Sequence, residues 1–421
     1  MSWRDRPINE VCSHTVDCVN RTAPVVDYET PYKMLRTTNV RGGFVDTDNV
    51  RYVIEETYQR WSRRLVPERG DVFLTREAPL GDVGRLMSDD QVFLGQRLFH
   101  YRADPEKLDG LFLAYVLQSP KVQGRIRAVG LGATVEHAKV GDFERLLIPV
   151  PPLETQTRIG KTLSAYDDLI ESNRRRIGLL EEAARRLYRE WFVHFRFPGH
   201  EHVKIVDGIP DGWERIAPAR FIYQHIGGGW GKDEPEGKES EPAYVIRGTD
   251  MPAVENGTFK AVGLRYHSPS NLGSRLLSYY DVIFEVSGGS STQPIARTLV
   301  LTPERLRQWN ENVICASFCK KFSFRSKSDA LFFYFHTRVH RDRGDILVYQ
   351  KESASSLKNF NFEGFMKGYV IPVPTQLLRK MFFDIADHLV RQQSILAAQN
   401  GRLAEARDLL LPRLMNGEIA V

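Results

Sequence analysis

Hydrophobic residues recur at alternating steps of four and three along two long segments of the chain. This spacing averages 3.5 residues, the period of an apolar seam on a helix that packs against another helix. Each segment has roughly 40 residues and would form a helix about 60 Å long at 1.5 Å per residue. The seam residues are Ile159, Leu163, Ile170, Ile177, Leu180 and Leu187 in the first helix and Ile385, Leu389, Leu396, Leu403 and Leu410 in the second.

Polar residues interrupt both seams. Asn173 falls on the first, and Gln392 and Gln399 fall on the second. A buried amide on a seam lowers stability but can fix the register of the pair, although Asn173 is also compatible with a slightly imperfect core. We expect the two helices to pair antiparallel and hold two globular parts at opposite ends of a spacer of fixed length. Parallel pairing is less natural, because the second globular part would then have to span the whole helix.

The chain also contains an internal repeat, which indicates two copies of one structural unit. Three short segments return in the same order about 210 to 220 residues later. They are Leu35–Asn39 with Ile246–Asp250, Gly70–Leu74 with Tyr280–Phe284, and Leu147–Pro151 with Val370–Pro374.

Short β-rich runs broken by Gly, Pro and Asn fill each copy, followed by a local helix, Leu108–Gln118 in one and Ala330–Thr337 in the other. We expect the aromatic residues of the second local helix to pack a core. The predicted fold class is therefore mixed α+β, with two homologous globular domains joined by two long antiparallel coiled-coil helices in a pseudo-twofold repeat. The predicted boundaries are a first domain at 1–150, a helix at 151–197, a second domain at 198–373 and a helix at 374–421.

Composition adds only broad limits. The 421 residues are 42% hydrophobic and 26% charged, which is typical of a globular protein. No apolar run approaches the ~18 residues of a membrane span, and no apolar segment follows the first charges, so a cytoplasmic protein without a membrane partner is expected. With 58 basic against 53 acidic side chains the net charge is +5. Any surface for nucleic acid must therefore be a local patch.

A search for reaction chemistry finds no catalytic group. The glycine-rich segment Gly227–Asp233 lacks the spacing of a phosphate-binding loop, and no Gly-x-Ser-x-Gly elbow is present. Cys12, His14 and Cys18 could join Cys315 and Cys319 in a zinc site only if the two regions met. We favour ordinary buried thiols and predict no metal site.

Basic residues supply the candidates for DNA contact. The run Lys320–Lys327 mixes cations, hydroxyls and aromatics, as suits contacts to a phosphate backbone, although a charged edge strand explains it equally well. The runs Lys121–Arg127 and Arg338–Arg343 follow the local helix of each copy, and this repetition favours a shared role. The predicted DNA-binding residues are Lys33, Arg36, Arg41, Lys121, Arg125, Arg127, Arg247, Lys320, Lys321, Arg325, Lys327, Arg338 and Arg343.

Several segments together resemble the specificity subunits of type I restriction-modification enzymes, and the resemblance covers essentially the whole chain. It is carried by Leu147–Gln156, Asp167–Asn173, Leu187–Phe192, Pro210–Glu214 and Leu409–Ile419. The second copy departs from the family pattern, because Thr375-Gln376-Leu377-Leu378 replaces the fuller Pro-Pro-Leu-x-x-Gln entry to the helix.

The resemblance implies two target-recognition domains, each reading one half of a bipartite, asymmetric target in double-stranded DNA, and helices that set the spacer. It also implies that the helices dock two DNA methyltransferase (modification) subunits and that restriction (motor-nuclease) subunits complete the assembly. No cofactor is then expected in this chain, since S-adenosylmethionine, and ATP with Mg²⁺, would be held by partner subunits. The alternative is a non-catalytic coiled-coil scaffold for protein interactions without DNA specificity.

Overall fold

The computed structural model describes residues 3–130, 139–288, 294–352 and 358–420. It divides into two compact units, of which unit 1 comprises Met1–Asp168 and Ala404–Val421 and unit 2 comprises Leu169–Leu403. Among the described residues, no helix is long and apolar enough to cross a membrane.

Unit 1 combines strands with short helices. Its strands are β1 (Arg4–Pro7), β2 (Cys12–Asp17), β3 (Tyr32–Leu35), β4 (Val40–Arg41), β5 (Gly43–Val45), β6 (Arg51–Tyr52), β7 (Val72–Arg76), β8 (Leu80–Arg85), β9 (Gln91–Leu94), β10 (Leu98–Ala103) and β11 (Leu147–Val150). Its short helices are α1 (Glu55–Ser62), α2 (Gly110–Gln118), α3 (Pro120–Gly130) and α4 (Val140–Glu144). The long helix α5 (Leu153–Tyr188) starts in this unit, continues into unit 2 and ends in a π-helical turn at Arg189–Val193.

Unit 2 has the same mixed composition. Its strands are β12 (Ile205–Val206), β13 (Ile209–Pro210), β14 (Glu214–Ile216), β15 (Gln224–Gly227), β16 (Glu241–Ile246), β17 (Gly263–His267), β18 (Val282–Glu285), β19 (Ser287–Gly288), β20 (Thr298–Val300), β21 (Asn312–Cys315), β22 (Cys319–Ser323), β23 (Gln350–Glu352), β24 (Lys358–Phe360) and β25 (Ile371–Val373). Its helices are α6 (Pro218–Phe221), α7 (Met251–Glu255), α8 (Pro269–Arg275), α9 (Pro303–Leu306), α10 (Lys327–Asp342), α11 (Phe362–Gly368) and the long α12 (Gln376–Met415), which ends in unit 1.

Three sheets are built in the same way in both units. A central strand, β3 or β16, has one antiparallel neighbour, β6 or β17, and one parallel neighbour, β9 or β21. The main sheets share a four-strand order, β2-β10-β7-β8 in unit 1 and β15-β22-β18-β20 in unit 2, and the unit 1 sheet continues through β5 to β4. The third sheet pairs the Ile-Pro-Val strands β11 and β25 with β1 and β14. The predicted duplicated, mixed α+β fold is confirmed.

A carboxylate at the start of an inner strand recurs with the repeat. Asp71 accepts a hydrogen bond from the backbone N–H of Glu68 at 2.8 Å, and Asp281 accepts one from Ser278 at 2.7 Å. The preceding residue has left-handed φ in both, 99° at Gly70 and 67° at Tyr280. A tyrosine is strained in this region, and its hydroxyl is anchored by a 2.5 Å hydrogen bond to Asp387. The repeated segments Gly70–Leu74 and Tyr280–Phe284 thus begin with the same tight turn in both units.

Each unit completes its core with both long helices. In unit 1, Ile159 and Leu163 of α5 share a buried cluster with Leu414 and Met415 of α12. In unit 2, Tyr188 of α5 and Phe382 of α12 join a largely aromatic cluster that also holds the residues of α10. The side chains of Leu331, Phe332, Phe333, Tyr334 and Phe335 are all buried, so the aromatic residues of the second local helix pack a core as predicted.

The two long helices run antiparallel. Within unit 2, Asn173 donates a hydrogen bond to Asn400 at 3.0 Å, and Ile177, one turn later in α5, packs with Leu396, one turn earlier in α12. Within unit 1, Arg407 binds Asp167 at 2.5 Å. Asp167 precedes Asn173 in α5 and Arg407 follows Asn400 in α12, as antiparallel pairing requires.

The α5 seam lies largely where the spacing placed it, with Ile159, Leu163, Ile170 and Ile177 buried and Leu180 and Leu187 partly buried. The α12 seam is displaced by about one residue from its predicted position. Leu396 is buried and Leu389, Leu403 and Leu410 are partly buried, but Ile385 is 47% exposed, and its assignment to the seam was wrong.

The buried stripe of α12 consists of small, polar and a few large residues, so the leucine pattern misses it. Its members are Phe382, Ala386, Val390, Gln393, Ala397 and Asn400. Gln392 and Gln399 are exposed, one position away from the buried amides of Gln393 and Asn400. Small alanine side chains on the seam allow the two helices to approach closely. The leucines of α12 then lie on either side of this buried stripe.

Truncating Leu396 tests this register. Leu396→Ala should lower the free energy of unfolding by about 2–5 kcal/mol because a buried side chain leaves a cavity. Ile385→Ala on the same helix should cost less than about 1 kcal/mol. Urea unfolding of both purified variants provides the comparison, and an equal loss from the two would contradict the displaced seam.

Asp71 supplies a test by pH. Burial by itself raises the pKa of Asp71, but hydrogen bonds from Arg102 and His100 and the charge of His100 outweigh burial and bring the pKa to about 2. Because the pKa is lower in the folded than in the unfolded chain, the stabilisation is complete above about pH 4 and is lost as the pH falls towards 2.

Asp71→Asn should therefore remove about 2 kcal/mol at pH 7, and its difference from the wild type should shrink between pH 4 and 2. The matched control is Asp89→Asn, whose carboxylate is 80% exposed, and we expect a change below about 0.5 kcal/mol. Chemical denaturation across this pH range measures both; a difference independent of pH would contradict the assignment.

Candidate nucleic-acid interface

The repeated Arg-x-x-Asn/Asp segment forms the same turn at the end of the central strand of each three-stranded sheet. The Asn39 side chain accepts a hydrogen bond from the Arg36 backbone N–H at 2.9 Å, and Asp250 does the same for Arg247. Asp250 also binds the Arg247 guanidinium at 2.9 and 2.7 Å, and this hydrogen bond raises the pKa of Arg247. The Arg247 side chain is held in place yet 49% exposed.

The predicted DNA-binding residues of unit 1 fall into three groups. Lys33 is paired with Asp90 at 3.0 Å, and Arg36 donates to the Asn49 carbonyl at 3.0 Å. Both have limited exposure. On α3, Lys121 and Arg125 share Asp5, at 3.1 and 2.5 Å, and the two cations lower the pKa of that carboxyl. Arg41 and Arg127 are exposed.

In unit 2, the predicted basic run lies on β22 and at the start of α10. The Lys321 ammonium is held by Asp281 at 3.3 Å and the Leu276 carbonyl at 2.5 Å. Arg343 pairs with Asp345 at 3.3 Å. Three other cations of the run lie near aromatic rings. The ring contacts are Lys320 with Phe362 at 4.4 Å, Arg325 with Tyr223 at 5.9 Å and Lys327 with Tyr280 at 5.3 Å. Arg325, Lys327 and Arg343 are exposed.

Arg338 has an internal role. It lies within α10 and not after the helix, its side chain is 13% exposed, and it bridges Glu181 and Glu255, the latter at 2.6 Å. Burial alone lowers its pKa, but the charges of these carboxylates outweigh burial and raise it. The predicted match between the two basic runs is therefore wrong in placement, because Lys121–Arg127 form the separate helix α3. Arg338 ties α5 to α10.

Each unit also contains an open cleft that the basic runs do not predict. The cleft of unit 2 has a volume of about 450 Å³ and is lined by Trp230, Arg247, Thr249, Ser287, Ser317 and Phe318, among others. The cleft of unit 1 has a volume of about 380 Å³ and is lined mainly by Asp17, Asn20, Arg76, Glu77, Gln96 and Arg97. Of the predicted DNA-binding residues, Arg247 lines one of these two clefts.

The four cysteines are free and buried. Burial raises the pKa of Cys12 to about 12 and does the same for Cys315. Within the described ranges, no three His, Cys, Asp or Glu side chains are grouped to hold a metal ion.

Comparison with known proteins gives one consistent family. Residues 3–182 match the model of the type I restriction modification DNA specificity domain. The type I restriction enzyme MjaIX specificity subunit of Methanocaldococcus jannaschii is 24% identical over 380 residues, which cover 88% of this chain and 82% of that protein. The putative MjaX specificity subunit of the same organism is 33% identical over 117 residues, covering 28% of this chain and 27% of its own length.

Structural comparison agrees. The crystal structure of the type I restriction-modification S subunit from M. genitalium aligns with 98% of this chain and 96% of that chain, with a TM-score of 0.55 and 15% identity. The shared fold extends through both units and both long helices. These matches do not favour the scaffold alternative. The chain is similar over most of its length to type I restriction-modification specificity subunits, and residues 3–182 match their DNA specificity domain.

Proposed function

We propose that each unit reads one half of a bipartite DNA target and that the antiparallel pair of α5 and α12 sets the distance between the halves. The observation that carries this proposal is the repeat itself, one topology used twice in a chain with two long helices. Two units of one topology but different side chains suit an asymmetric target. Exposed cations such as Arg41, Arg127, Arg325 and Lys327 would hold the units on phosphates.

The long helices would also dock two modification subunits. Leu377, Met381 and Ile385 are spaced by four residues on α12 and are 70%, 37% and 47% exposed, so one outer face of the helix is apolar. Leu179 on α5 is likewise 66% exposed. Exposed apolar surface of this kind is typical of a protein interface.

Catalysis in the assembly would belong to the partner subunits. The modification subunits would hold S-adenosylmethionine, and restriction subunits would use ATP with Mg²⁺, while this chain supplies recognition without catalysis. A system of this kind works in the cytoplasm, where its DNA lies.

A comparison of genome methylation with and without this gene tests the proposal directly. With the modification subunit expressed, the gene should add adenine methylation at one asymmetric motif with two specified halves and an unspecified spacer. Methylation unchanged by the gene would contradict the proposal, as would a continuous motif.

Phosphate contact predicts a uniform effect on affinity. In the complex with modification subunits, Arg325→Ala should weaken binding to all DNA sequences alike and reduce the salt slope by about one. Lys367→Ala, an exposed lysine of α11 outside the basic run, serves as the control and should change neither. Titrations at several salt concentrations measure both, and an unchanged slope for Arg325→Ala would remove it from the contact surface.

A further inference from the structure

The clefts of the two units lie at the same position in the repeated topology. The Arg97 carbonyl accepts a hydrogen bond from the Arg76 N–H at 2.8 Å, and the Phe318 carbonyl accepts one from Val286 at 2.9 Å. Just before these residues, Gly95 donates to Leu35, and Ala316 donates to Ile246, both at 2.8 Å. Gln96-Arg97 in unit 1 and Ser317-Phe318 in unit 2 are therefore structurally equivalent.

Two further pairs of cleft residues follow the same equivalence. The Cys18 N–H donates to Leu98 at 3.3 Å, and the Gly228 N–H donates to Cys319 at 3.0 Å, which matches the segments that follow β2 and β15. The residue two positions further on lines the cleft in each unit. The equivalent pairs that line both clefts are Asn20 with Trp230, Glu77 with Ser287, Gln96 with Ser317 and Arg97 with Phe318.

The unit 1 cleft presents hydrogen-bonding groups. Glu77 binds the Nε of Arg97 at 2.9 Å and so orients a guanidinium that is 52% exposed. Beneath it, Arg76 pairs with Asp17 at 3.3 Å, and its buried Nε has no hydrogen-bond partner within the described part of the chain. Arginine pairs bidentately with guanine, and asparagine and glutamine pair with adenine, so Arg97, Asn20 and Gln96 are side chains suited to purine edges.

The unit 2 cleft presents aromatic groups at the same positions. Phe318 is 60% exposed and Trp230 is 46% exposed, with the Arg265 guanidinium 4.3 Å from the Trp230 ring. Ser317 and Thr249 line the same cleft. Exposed aromatic side chains around a concave site favour apolar contact, and the apolar feature of the major groove is the C5-methyl group of thymine.

We infer that these equivalent clefts are the base-reading sites of the two units, which rests on the proposed function. The unit 1 cleft reads a guanine or adenine edge through Arg97, Gln96 and Asn20. The unit 2 cleft reads a thymine methyl group through Phe318 and Trp230. Equivalent backbone positions carry hydrogen-bonding side chains in unit 1 and aromatic side chains in unit 2. One fold can therefore recognise two unlike half-sites.

Base analogues provide the experiment. The complex of this chain with modification subunits is titrated with target duplexes in which each thymine is replaced in turn by deoxyuridine, or each purine by its 7-deaza form. One deoxyuridine should weaken wild-type binding roughly 5- to 20-fold and leave Phe318→Ala unaffected. One 7-deazaguanine in the other half-site should weaken the wild type similarly and leave Arg97→Ala unaffected, and one 7-deazaadenine should do the same for Gln96→Ala or Asn20→Ala.

The controls truncate exposed side chains outside the clefts, an arginine in unit 1 and an apolar residue in unit 2. Arg69→Ala, a 60% exposed arginine in an ion pair, and Val348→Ala, 77% exposed, should respond to the analogues as the wild type does. If Arg97→Ala prevents assembly, Arg97→Lys replaces it, because lysine keeps the charge but loses the planar fork. Reduced sensitivity to the same 7-deazapurine then supports the inference, and unchanged sensitivity overturns it.

The same titrations separate the inference from the proposed function. Wild-type binding to a bipartite motif, with analogue effects that persist in Phe318→Ala and in the Arg97, Gln96 and Asn20 variants, overturns the base-reading clefts but leaves the proposed function intact. A wild-type complex that shows no sequence preference contradicts the proposed function itself.

Discussion

The antiparallel packing of α5 and α12 is the interaction on which both units depend. Neither helix is an appendage, because each contributes buried residues to the two cores. Ile159 and Leu163 enter the core of unit 1 at one end of α5, and Tyr188 enters that of unit 2 at the other. A substitution that disrupts the packing of α5 against α12 should therefore lower the stability of both units.

The polar residues along the helix pair restrict its register. Asn173 and Asn400 are 7% and 3% exposed and bind each other, while the Nδ2 of Asn400 and the Nε2 of Gln393 lack hydrogen-bond partners among the described residues. Buried amides reduce stability, but a shifted register would bury Asn173 against apolar side chains and lose its hydrogen bond. In the proposed function the helices set a distance, and a single register then offsets this loss of stability.

The sequence predicted the features that depend on repetition and on large apolar residues. The duplicated turns, the seam of α5 and the aromatic core of α10 belong to this group. It did not predict the α12 seam, where Ala386, Ala397 and Asn400 are too small or too polar to mark a buried face. The clefts were missed for a related reason, because Gln96-Arg97 and Ser317-Phe318 share a backbone position but no chemical property.

Unit 1 is assembled from two separate parts of the chain, Met1–Asp168 and Ala404–Val421, whereas unit 2 is continuous. Synthesis at about 5–20 residues per second would complete unit 2 before the last α12 residues of unit 1 exist. Leu414 and Met415, which are 1% and 5% exposed in the core of unit 1, are therefore added last. A ribosome that stops early would release a chain with one finished unit and one open core.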